Sequence, residues 1–536
     1  MTRYDQIIVG AGTAGCVLAH RLSSDPATHV LLVEAGGEDD DPRIAMPRGF
    51  GELLGDPAFA WHHPTRPFGP TQQVEHWVRG KTLGGSSSVN GMIYNRGHRA
   101  DHDALAAAAG SAHWGWEPML EAFRAIEGNC LGVSSTRGAD GPLRVSASGD
   151  ADPLLEDVLA AGARLGWERV EDYNESDGDR IGRAMATISS GRRCSAADAF
   201  LHPVRERPNL HIALRTEIDR VVLEDGQAVG VEGRSEGRPV THAAKEVVLA
   251  AGALATPRIL QLSGIGEPSA LTAVGVRPLV ESPMVGARMR EHRVLTVQAR
   301  LAVQAGYNPL LGTAEGRREA MREYQRTGGG PLGAASFDVV GFFRSRPGLE
   351  RPDAQLQVAP YSIEPLEAGG AMEVEQEPGL MVIGYPLRPE SEGSVHITSP
   401  DPTAPLDIVP RYFADAYDRD VSVGVLRGMR ALLAAEPLAP WIAEETAPGA
   451  EVATDQEILE AGLRDGGAGY HATGTAAMGP EETDVVDAAL RVRGTRGLRV
   501  ADASVLPLMV SGNLNGPLAA LAWRAADLLG APVPAR

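Results

Sequence analysis

The segment YHATGTAAMG, Tyr470 to Gly479, carries a single histidine in a run of small residues. Imidazole is the side chain whose unperturbed pKa lies near neutrality, so it can take a proton from a hydroxyl group at physiological pH. Alanine and glycine neighbours would leave room beside the ring for a flat cofactor and a substrate. His471 is therefore a candidate general base; this segment by itself favours the alternative, a histidine with a purely structural role.

A glycine-rich turn near the start of the chain indicates phosphate binding. The stretch YDQIIVGAGTAGCVLAHRLSSD predicts a strand, a tight turn and a helix, with glycines at Gly10, Gly12 and Gly15. In such a turn the first glycine permits the sharp bend, the second lets a pyrophosphate approach, and the third lets the helix pack on the strand. The helix N-terminus then offers free N–H groups to the phosphates.

The next predicted strand, HVLLVEAGG, ends in Glu34. An acid about twenty residues beyond the glycines is typical of a group that binds ribose hydroxyls. The two features together predict a dinucleotide site, and the alternative is a βαβ unit without a ligand. NAD and FAD both fit, so the turn by itself leaves the cofactor open.

A second polar loop, RGKTLGGSSSVNGMIYNRG, runs from Arg79 to Gly97. Its glycines, serines and asparagines predict a cradle for a ligand with many hydrogen-bonding edges. A surface loop is the alternative, but it would leave Val89, Met92, Ile93 and Tyr94 in solvent. The three serines lack the G-x-S-x-G pattern of a nucleophile elbow.

Five ordered blocks of the sequence resemble the glucose-methanol-choline (GMC) flavin oxidoreductases, and the resemblance covers nearly the whole chain. Arg79–Gly97 is similar to the first signature of that family and GALATPRILQLSGIG, Gly252–Gly266, to the second. GRRCSAADAFLHPVRERPNL, HATGTAAMG and LRVADASVLPLMVSGNLNGP are similar to further blocks in the same order. The resemblance implies FAD rather than NAD.

The resemblance also implies which residues hold FAD: the glycine turn at the pyrophosphate, Glu34 at the adenosine ribose, and the Asn90 loop at the flavin. The expected cofactor-binding residues are Gly10, Gly12, Thr13, Ala14, Gly15, Glu34, Ala35, Gly84, Ser86, Asn90, Gly91, Met92, Ile93, Ile218, Asp502, Ala503 and Asn515. Members that tether FAD covalently often use a histidine immediately before the asparagine. Val89 stands there, so we expect non-covalent FAD.

His471 matches the catalytic histidine of the HxxGT block, and the resemblance gives it a partner farther along the chain. Asn513, in SGNLNGP, is expected to donate a hydrogen bond to the developing alkoxide. His292, outside these blocks, is interpreted as a structural or surface residue. It lies in VGARMREH, where relatives tend to have an Asn-Leu pair and an Asp-His.

These features predict FAD-dependent oxidation of a primary or secondary alcohol to an aldehyde or ketone. The partners would be a small-molecule alcohol and O2 or another electron acceptor; the sequence identifies neither the alcohol nor the acceptor. A non-oxidising enzyme of the same fold, such as a hydroxynitrile lyase or a light-driven fatty-acid decarboxylase, is the alternative. A non-catalytic flavoprotein is a third reading, which His471 and Asn513 make less favourable.

The elements that position these residues are expected to form two or more interleaved domains, since 536 residues exceed one compact core, and the resemblance implies an α/β fold. Residues 1–145, 200–290 and 462–536 are expected to form a discontinuous GMC-type, Rossmann-like FAD-binding domain. Residues 146–199 and 291–461 are expected to form a substrate-binding domain, for which the resemblance implies an antiparallel sheet. In the second signature, Thr256 and Pro257 predict the start of a helix.

Composition excludes several classes of protein. A net charge of −20 argues against nucleic acid or an anionic membrane as the main partner, because both require a basic surface. Three dispersed cysteines favour a reducing compartment, and the absence of zinc-type Cys/His spacing predicts no metal site. We see no secretory signal and no uninterrupted membrane span, so a cytoplasmic location is expected.

Overall fold

The N-terminal strand of the protein lies in a mixed sheet whose central strands are parallel. The computed structural model describes residues 3–149, 152–364 and 372–532. Strand Arg3–Val9 pairs in parallel with Val30–Val33 on one side and with Arg238–Leu249 on the other. The spatial order is Leu210–Ala213, Val30–Val33, Arg3–Val9, Arg238–Leu249, Gln227–Ser235 and Thr216–Glu224, with Leu498–Val500 paired in parallel to Arg238–Leu249.

Burial of this sheet on both faces explains the unbroken apolar runs of its central strands. Ile7 and Ile8 are fully buried, as parallel strands between two helical layers require. Helices Thr13–Leu22 and Asn515–Leu528 pack against each other. Because Val9 is in register with Val33 and Leu249, the residues that follow these strands meet at one edge. Ligands bind at this carboxyl edge in open α/β sheets.

The second sheet is mostly antiparallel, and one of its faces forms part of a large cavity. Its strands in spatial order are Ile442–Ala447, Arg293–Leu301, Gly379–Pro386, Ala354–Ala359, Val339–Phe343, Arg180–Arg183 and Glu168–Arg169, with Gly467–Ala468 paired to Arg293–Leu301. Only the pair Arg180–Arg183 and Glu168–Arg169 is parallel among the described strands of this sheet. Helices Pro153–Arg164 and Ala416–Ala434 cover the opposite face.

Smaller elements complete the described part of the chain. The other α-helices are Pro42–Ala45, Phe50–Leu53, Arg99–Ala109, Trp116–Ile126, Gly252–Leu262, Pro268–Ala273, Asn308–Leu311, Ala314–Thr327 and Asp455–Asp465. The short strand pairs are Ala60–Pro64 with His76–Gly80, Ile188–Ser189 with Arg192–Arg193, Ile265–Gly266 with Val280–Glu281, and Ser394–His396 with Asp407–Val409. Glu127–Asn129, Leu143–Ala147 and Met185–Ala186 form a three-stranded sheet. Among the described residues, no helix combines the length and apolar character needed to cross a membrane.

The predicted α/β class is confirmed: a Rossmann-like sheet with helices is combined with an antiparallel sheet drawn from interleaved parts of the chain. The predicted helix start at Thr256 is wrong, because the helix begins at Gly252 and places Pro257 in its second turn. Pro257 has no N–H, so it cannot bond the carbonyl of Ala253. Thr475 supplies the missing donor, with its hydroxyl 2.7 Å from the Ala253 oxygen.

Candidate active site

One cavity of about 1280 Å³ extends from the glycine turn to His471 and Asn513. It lies between the carboxyl edge of the first sheet and a face of the second. Its walls include these residues predicted from the sequence: Gly10, Gly12, Thr13, Ala14, Glu34, Ala35, Ser86, Asn90, Gly91, Met92, Ile93, Ile218, Asp502, Ala503 and Asn515. Gly15 and Gly84 lie outside this lining. The fold therefore brings chain segments hundreds of residues apart to one chamber.

The glycine turn has the shape of a phosphate cradle. A Cβ atom at Gly12 would meet no protein atom within 4 Å, so this position opens into the cavity. A Cβ at Gly15 would lie 1.9 Å from the Gly10 oxygen, so Gly15 serves close packing of the helix on the strand. No acidic residue occupies the first turn of Thr13–Leu22. Within the described residues no side chain caps the helix, so its N-terminus presents N–H groups and the positive end of its dipole to the cavity.

Glu34 lies at the carboxyl end of strand Val30–Val33 and lines the cavity. Its carboxylate accepts hydrogen bonds from the Ala11 N–H at 2.9 Å and the Gly36 N–H at 2.8 Å. Burial raises the pKa of Glu34, although these N–H donors oppose the effect. The two backbone donors fix the carboxylate beside the glycine turn, where it can accept hydrogen bonds from a ribose diol.

Asp502 closes the same edge from the C-terminal part of the chain. One carboxylate oxygen accepts from the Gly252 N–H at 2.8 Å and from the Thr256 hydroxyl at 2.6 Å. The other oxygen accepts from the Ser504 N–H at 2.8 Å. Burial raises the pKa of Asp502. The side chain is therefore largely engaged in joining the Gly252 helix to the segment around Ser504, which shapes the middle of the cavity.

Arg193 fixes the polar loop that contains Asn90. This buried guanidinium donates to the backbone oxygens of Ile44, Ser87 and Asn90 and to the Asn90 side-chain oxygen at 2.9 Å. The same Oδ1 accepts from the Met92 N–H at 3.0 Å. Because two donors hold Oδ1, the amide nitrogen of Asn90 is the group that can donate a hydrogen bond to a ligand in the cavity.

The imidazole of His471 lies 2.9 Å from that of His292, Nδ1 to Nδ1. His292 Nε2 lies 3.1 Å from the Leu387 carbonyl oxygen, which can only accept, so this nitrogen carries the hydrogen. In neutral His292 the Nδ1 atom is then an acceptor, and His471 Nδ1 donates to it. His471 Nε2 is therefore an acceptor that faces the cavity.

Asn513 has its amide oriented by several donors. Its Oδ1 accepts from Asn95 Nδ2 at 2.8 Å, and also from Gln355, Gln357 and the Tyr385 hydroxyl. The Asn513 amide nitrogen is thereby directed to His471 Nε2, at 3.4 Å. A lone pair and an N–H donor thus meet at one end of the cavity. This arrangement can accept a proton and stabilise the oxyanion that remains.

Burial sets the electrostatics around the two histidines. It lowers the pKa of His471 well below its usual value and the pKa of His292 to about 4, so both rings are neutral at physiological pH. Burial raises the pKa of Glu291 to about 7, while Arg79 opposes the increase. Glu291 Oε1 accepts from the N–H groups of His471 at 2.7 Å and His292 at 2.9 Å. It thereby fixes the two backbone segments relative to each other.

Sequence reasoning missed the hydrogen-bond network behind His471, the candidate base. From the sequence, His292 is interpreted as a structural or surface residue. The surface location is wrong, because His292 is fully buried and hydrogen-bonded to His471. Tyr385, which stacks on His292 with centroids 4.5 Å apart, carries no sequence signal. The Glu-His pair ending VGARMREH was the available signal, because it stands where GMC relatives tend to have Asp-His.

Comparison with known proteins agrees with this architecture. Models of the N- and C-terminal parts of GMC oxidoreductases match residues 4–294 and 389–522. Human mitochondrial choline dehydrogenase is 36% identical over 98% of this chain and 89% of its own length. Alcohol dehydrogenase [acceptor] of Pseudomonas putida is 34% identical over 98% of this chain and 95% of its own.

Solved structures show the same likeness in three dimensions. Pyridoxine 4-oxidase from Mesorbium loti superposes with a TM-score of 0.88 and 31% identity, covering 98% of this chain and 99% of its own. A formate oxidase superposes with a TM-score of 0.90 and 26% identity over 99% and 98% of the two chains. With both family models and these relatives in agreement, the chain belongs to the GMC oxidoreductase family.

Proposed function

We propose that this enzyme oxidises a primary or secondary alcohol to an aldehyde or ketone with non-covalent FAD. The observation that carries the proposal is the meeting of the His471 Nε2 lone pair with the Asn513 amide N–H at the end of the cavity. An alcohol needs both groups at once, because it loses a proton and passes through an alkoxide-like state.

The cavity suits FAD along its length. The open side of Gly12 and the bare helix N-terminus suit a pyrophosphate, Glu34 suits a ribose, and the Asn90 amide suits a polar ring edge. Bound FAD would supply the hydride acceptor, flavin N5, for the hydrogen on the alcohol carbon. Val89 packs with Ile44 and Leu53 and has no nucleophilic atom, which supports a cofactor without a covalent bond to this position.

The residues of the chain would handle the proton. His471 Nε2 accepts it from the hydroxyl group, and His292 keeps the ring in the competent tautomer through the Nδ1 contact. Asn513 then donates its amide hydrogen to the alcohol oxygen as negative charge develops there. The four donors on Asn513 Oδ1 prevent the amide from turning its oxygen toward that charge.

Relatives named as choline and alcohol dehydrogenases support oxidation of a CH–OH group, and nothing favours a lyase or a photodecarboxylase. Both dehydrogenases and oxidases occur among the similar proteins, so the electron acceptor stays open between O2 and another compound. The cytoplasmic location and the domain boundaries 1–145, 200–290 and 462–536 against 146–199 and 291–461 stay predictions. The two separate sheets support the division, except that Gly467–Ala468 of the segment 462–536 pairs with the second sheet.

The test is anaerobic stopped-flow mixing of the FAD-loaded enzyme with a panel of primary and secondary alcohols. Loss of oxidised-flavin absorbance with at least one alcohol, and formation of the matching carbonyl compound, is the expected result. Admission of air then distinguishes an oxidase from a dehydrogenase by the rate of re-oxidation. If dithionite reduces the flavin but no alcohol does, alcohol oxidation is the wrong assignment.

A further inference from the structure

We infer that the alcohol is uncharged and places an apolar group along one wall of the cavity, so that a quaternary ammonium alcohol such as choline is disfavoured. The inference rests on the proposed oxidation and names its substrate class. It runs against a direct transfer of substrate from the choline dehydrogenases to which the chain is similar. Three observations carry it: the wall itself, the carboxylates of the cavity, and its aromatic rings.

The wall is a strand face that begins at the catalytic pair. Along Gly379–Pro386 alternate side chains share a face, and Met381, Ile383 and Tyr385 line the cavity. Tyr385 lies against His471, with ring centroids 6.0 Å apart. Ile383 is in register with Gln357, which donates to Asn513. At about 3.3 Å per residue the wall continues for roughly 13 Å from Tyr385 to Met381.

The far part of this wall is apolar. Met381 belongs to a cluster with Ala359 and Tyr361, and partly buried apolar side chains pack on it: Tyr307, Phe337, Ile363, Val374 and Ile383. Of these, Phe337, Tyr361, Ile363, Met381 and Ile383 line the cavity. The substituent of an alcohol held at His471 and extending along this wall would contact mainly carbon atoms. Apolar surface buried there stabilises binding by about 25 cal/mol per Å².

The carboxylates of the cavity are already engaged. Those that line it in the described part of the chain are Glu34, Glu75, Glu217, Glu364, Asp465 and Asp502. Arg293 lies 2.9 Å from Glu75, Arg258 2.9 Å from Glu217, and Arg464 pairs with Asp465. Backbone and hydroxyl donors hold Glu34 and Asp502.

Glu364 is the lining carboxylate for which the described residues provide neither an ion pair nor a side-chain hydrogen bond. It is exposed to solvent, where water and salt weaken its attraction for a bound cation. A trimethylammonium group cannot form ordinary hydrogen bonds, so it would lose hydration in this cavity with little in return.

The tyrosine and tryptophan rings of the cavity are engaged as well, so that within the described residues the rings of Phe50 and Phe337 are the lining aromatic groups left for a quaternary ammonium group. Arg48 lies 5.1 Å from the ring centre of Tyr361, Lys81 4.2 Å from that of Trp61, and Arg79 5.9 Å from that of Tyr470. His292 stacks on Tyr385. Every tyrosine and tryptophan that lines the cavity within the described residues therefore already has a cation or an imidazole against it.

The decisive comparison uses choline and its carbon isostere 3,3-dimethylbutan-1-ol, which differ only in a central nitrogen cation or carbon atom. With an electron acceptor in excess to re-oxidise the flavin, we expect the FAD-loaded enzyme to oxidise the isostere with a kcat/KM at least about tenfold higher than that for choline. A higher kcat/KM for choline would overturn the substrate class. It would leave alcohol oxidation standing, because both compounds are alcohols.

A substitution on the apolar wall should shift the preference between the isostere and choline toward choline. Ile383→Asp places a carboxylate on the apolar wall, and Ile383→Asn is the uncharged control of nearly equal shape. The ratio of choline to isostere kcat/KM should rise by about tenfold in Ile383→Asp relative to Ile383→Asn. Equal ratios in the two variants, with flavin content and reduction by dithionite preserved, would show that the substituent does not lie along this wall.

Glu364→Gln checks the exposed carboxylate. If Glu364 held a substrate cation, this variant would raise the KM for choline and leave the KM for the isostere unchanged, which contradicts the inference. We expect the KM for choline and the KM for the isostere to stay within about twofold of the wild-type values, because Glu364 is a screened surface charge. Failure of every alcohol to reduce the flavin is a different outcome, which rejects the proposed function rather than the substrate class.

Discussion

In the proposed mechanism, His471 and Asn513 combine at one point the two functions that alcohol oxidation requires of the protein, proton acceptance and oxyanion stabilisation. The first depends on a tautomer that another histidine determines, and the second on an amide orientation that four donors determine. At this scale the proposed chemistry depends on the positions of individual hydrogen atoms. Substitution of single side chains tests these positions.

His471→Ala should keep its FAD and its fold, since its neighbours Ala472 and Gly474 are small and the ring opens onto the cavity. Flavin reduction by the best alcohol should slow by about two to four orders of magnitude, the usual contribution of a positioned acid–base group. Asn513→Ala should slow it less, because the amide orients and stabilises but takes no proton. Anaerobic stopped-flow absorbance gives both rates; a His471→Ala enzyme with full FAD and the wild-type rate would show that the base is another group.

The pH dependence follows from the same ring. Only neutral imidazole accepts a proton, so reduction should quicken as the pH rises through the pKa of His471. Burial lowers that pKa well below its usual value, so the rise should lie below pH 6.5 and the rate should be level above neutrality. The His471→Ala variant should lack the rise. A wild-type profile that climbs only above pH 8 would identify a different acceptor.

At the scale of elements, the glycine turn and the hairpin that carries Arg193 shape the two ends of the expected flavin-nucleotide site. The turn offers an open surface because Gly12 has no side chain, and the hairpin fixes Asn90 through a guanidinium. Each element thus presents backbone or amide N–H groups to the cavity. Their variants should change cofactor content rather than the chemical step.

Gly12→Val should prevent FAD uptake, because a branched side chain would fill the space left for the pyrophosphate. Gly178→Val is a matched control, because a Cβ at Gly178 also meets no atom within 4 Å but that residue lies outside the cavity lining. Flavin-to-protein absorbance after purification measures the effect. Full FAD occupancy in Gly12→Val would contradict the assignment of the turn.

Arg193→Met removes the guanidinium that holds Asn90 Oδ1 and three backbone oxygens. Burial lowers the pKa of Arg193 to about 9, so it is still charged at neutral pH, and its loss should loosen the loop. We expect FAD to dissociate at least about tenfold more readily, as for loss of charge-assisted hydrogen bonds. Arg192→Met changes the exposed neighbour on the same strand and should retain wild-type FAD affinity in a fluorescence titration.

At the scale of the whole molecule, FAD would lie between the two sheets and contact segments from both ends of the chain. Since Val89 lacks a nucleophile, the cofactor should be released when the fold is lost. Acid precipitation of the holoenzyme followed by centrifugation should leave the yellow colour in the supernatant. Flavin that stays with the pellet would reveal a covalent bond.

The local patterns of the sequence were sufficient for the parts of the fold that form within one stretch of chain. The βαβ start around Gly10, the acid at Glu34 and the small-residue setting of His471 follow from backbone sterics and spacing over at most a few dozen residues. The five family blocks extended this to the α/β class and its antiparallel second sheet. Helix boundaries were less certain, as the displaced start before Pro257 shows.

Only the tertiary structure decided which partners control the side chains of the proposed catalytic pair. His292 and His471 are 179 positions apart, and Asn95 and Asn513 are 418 apart, so no local periodicity relates them. The tautomer of His471 depends on a carbonyl at Leu387, and the proposed substrate wall depends on the strand register that sets Ile383 opposite Gln357. Hydrogen-bond direction and register are properties of surfaces in contact. A linear sequence names the groups, but the packing of the two sheets determines which of them meet.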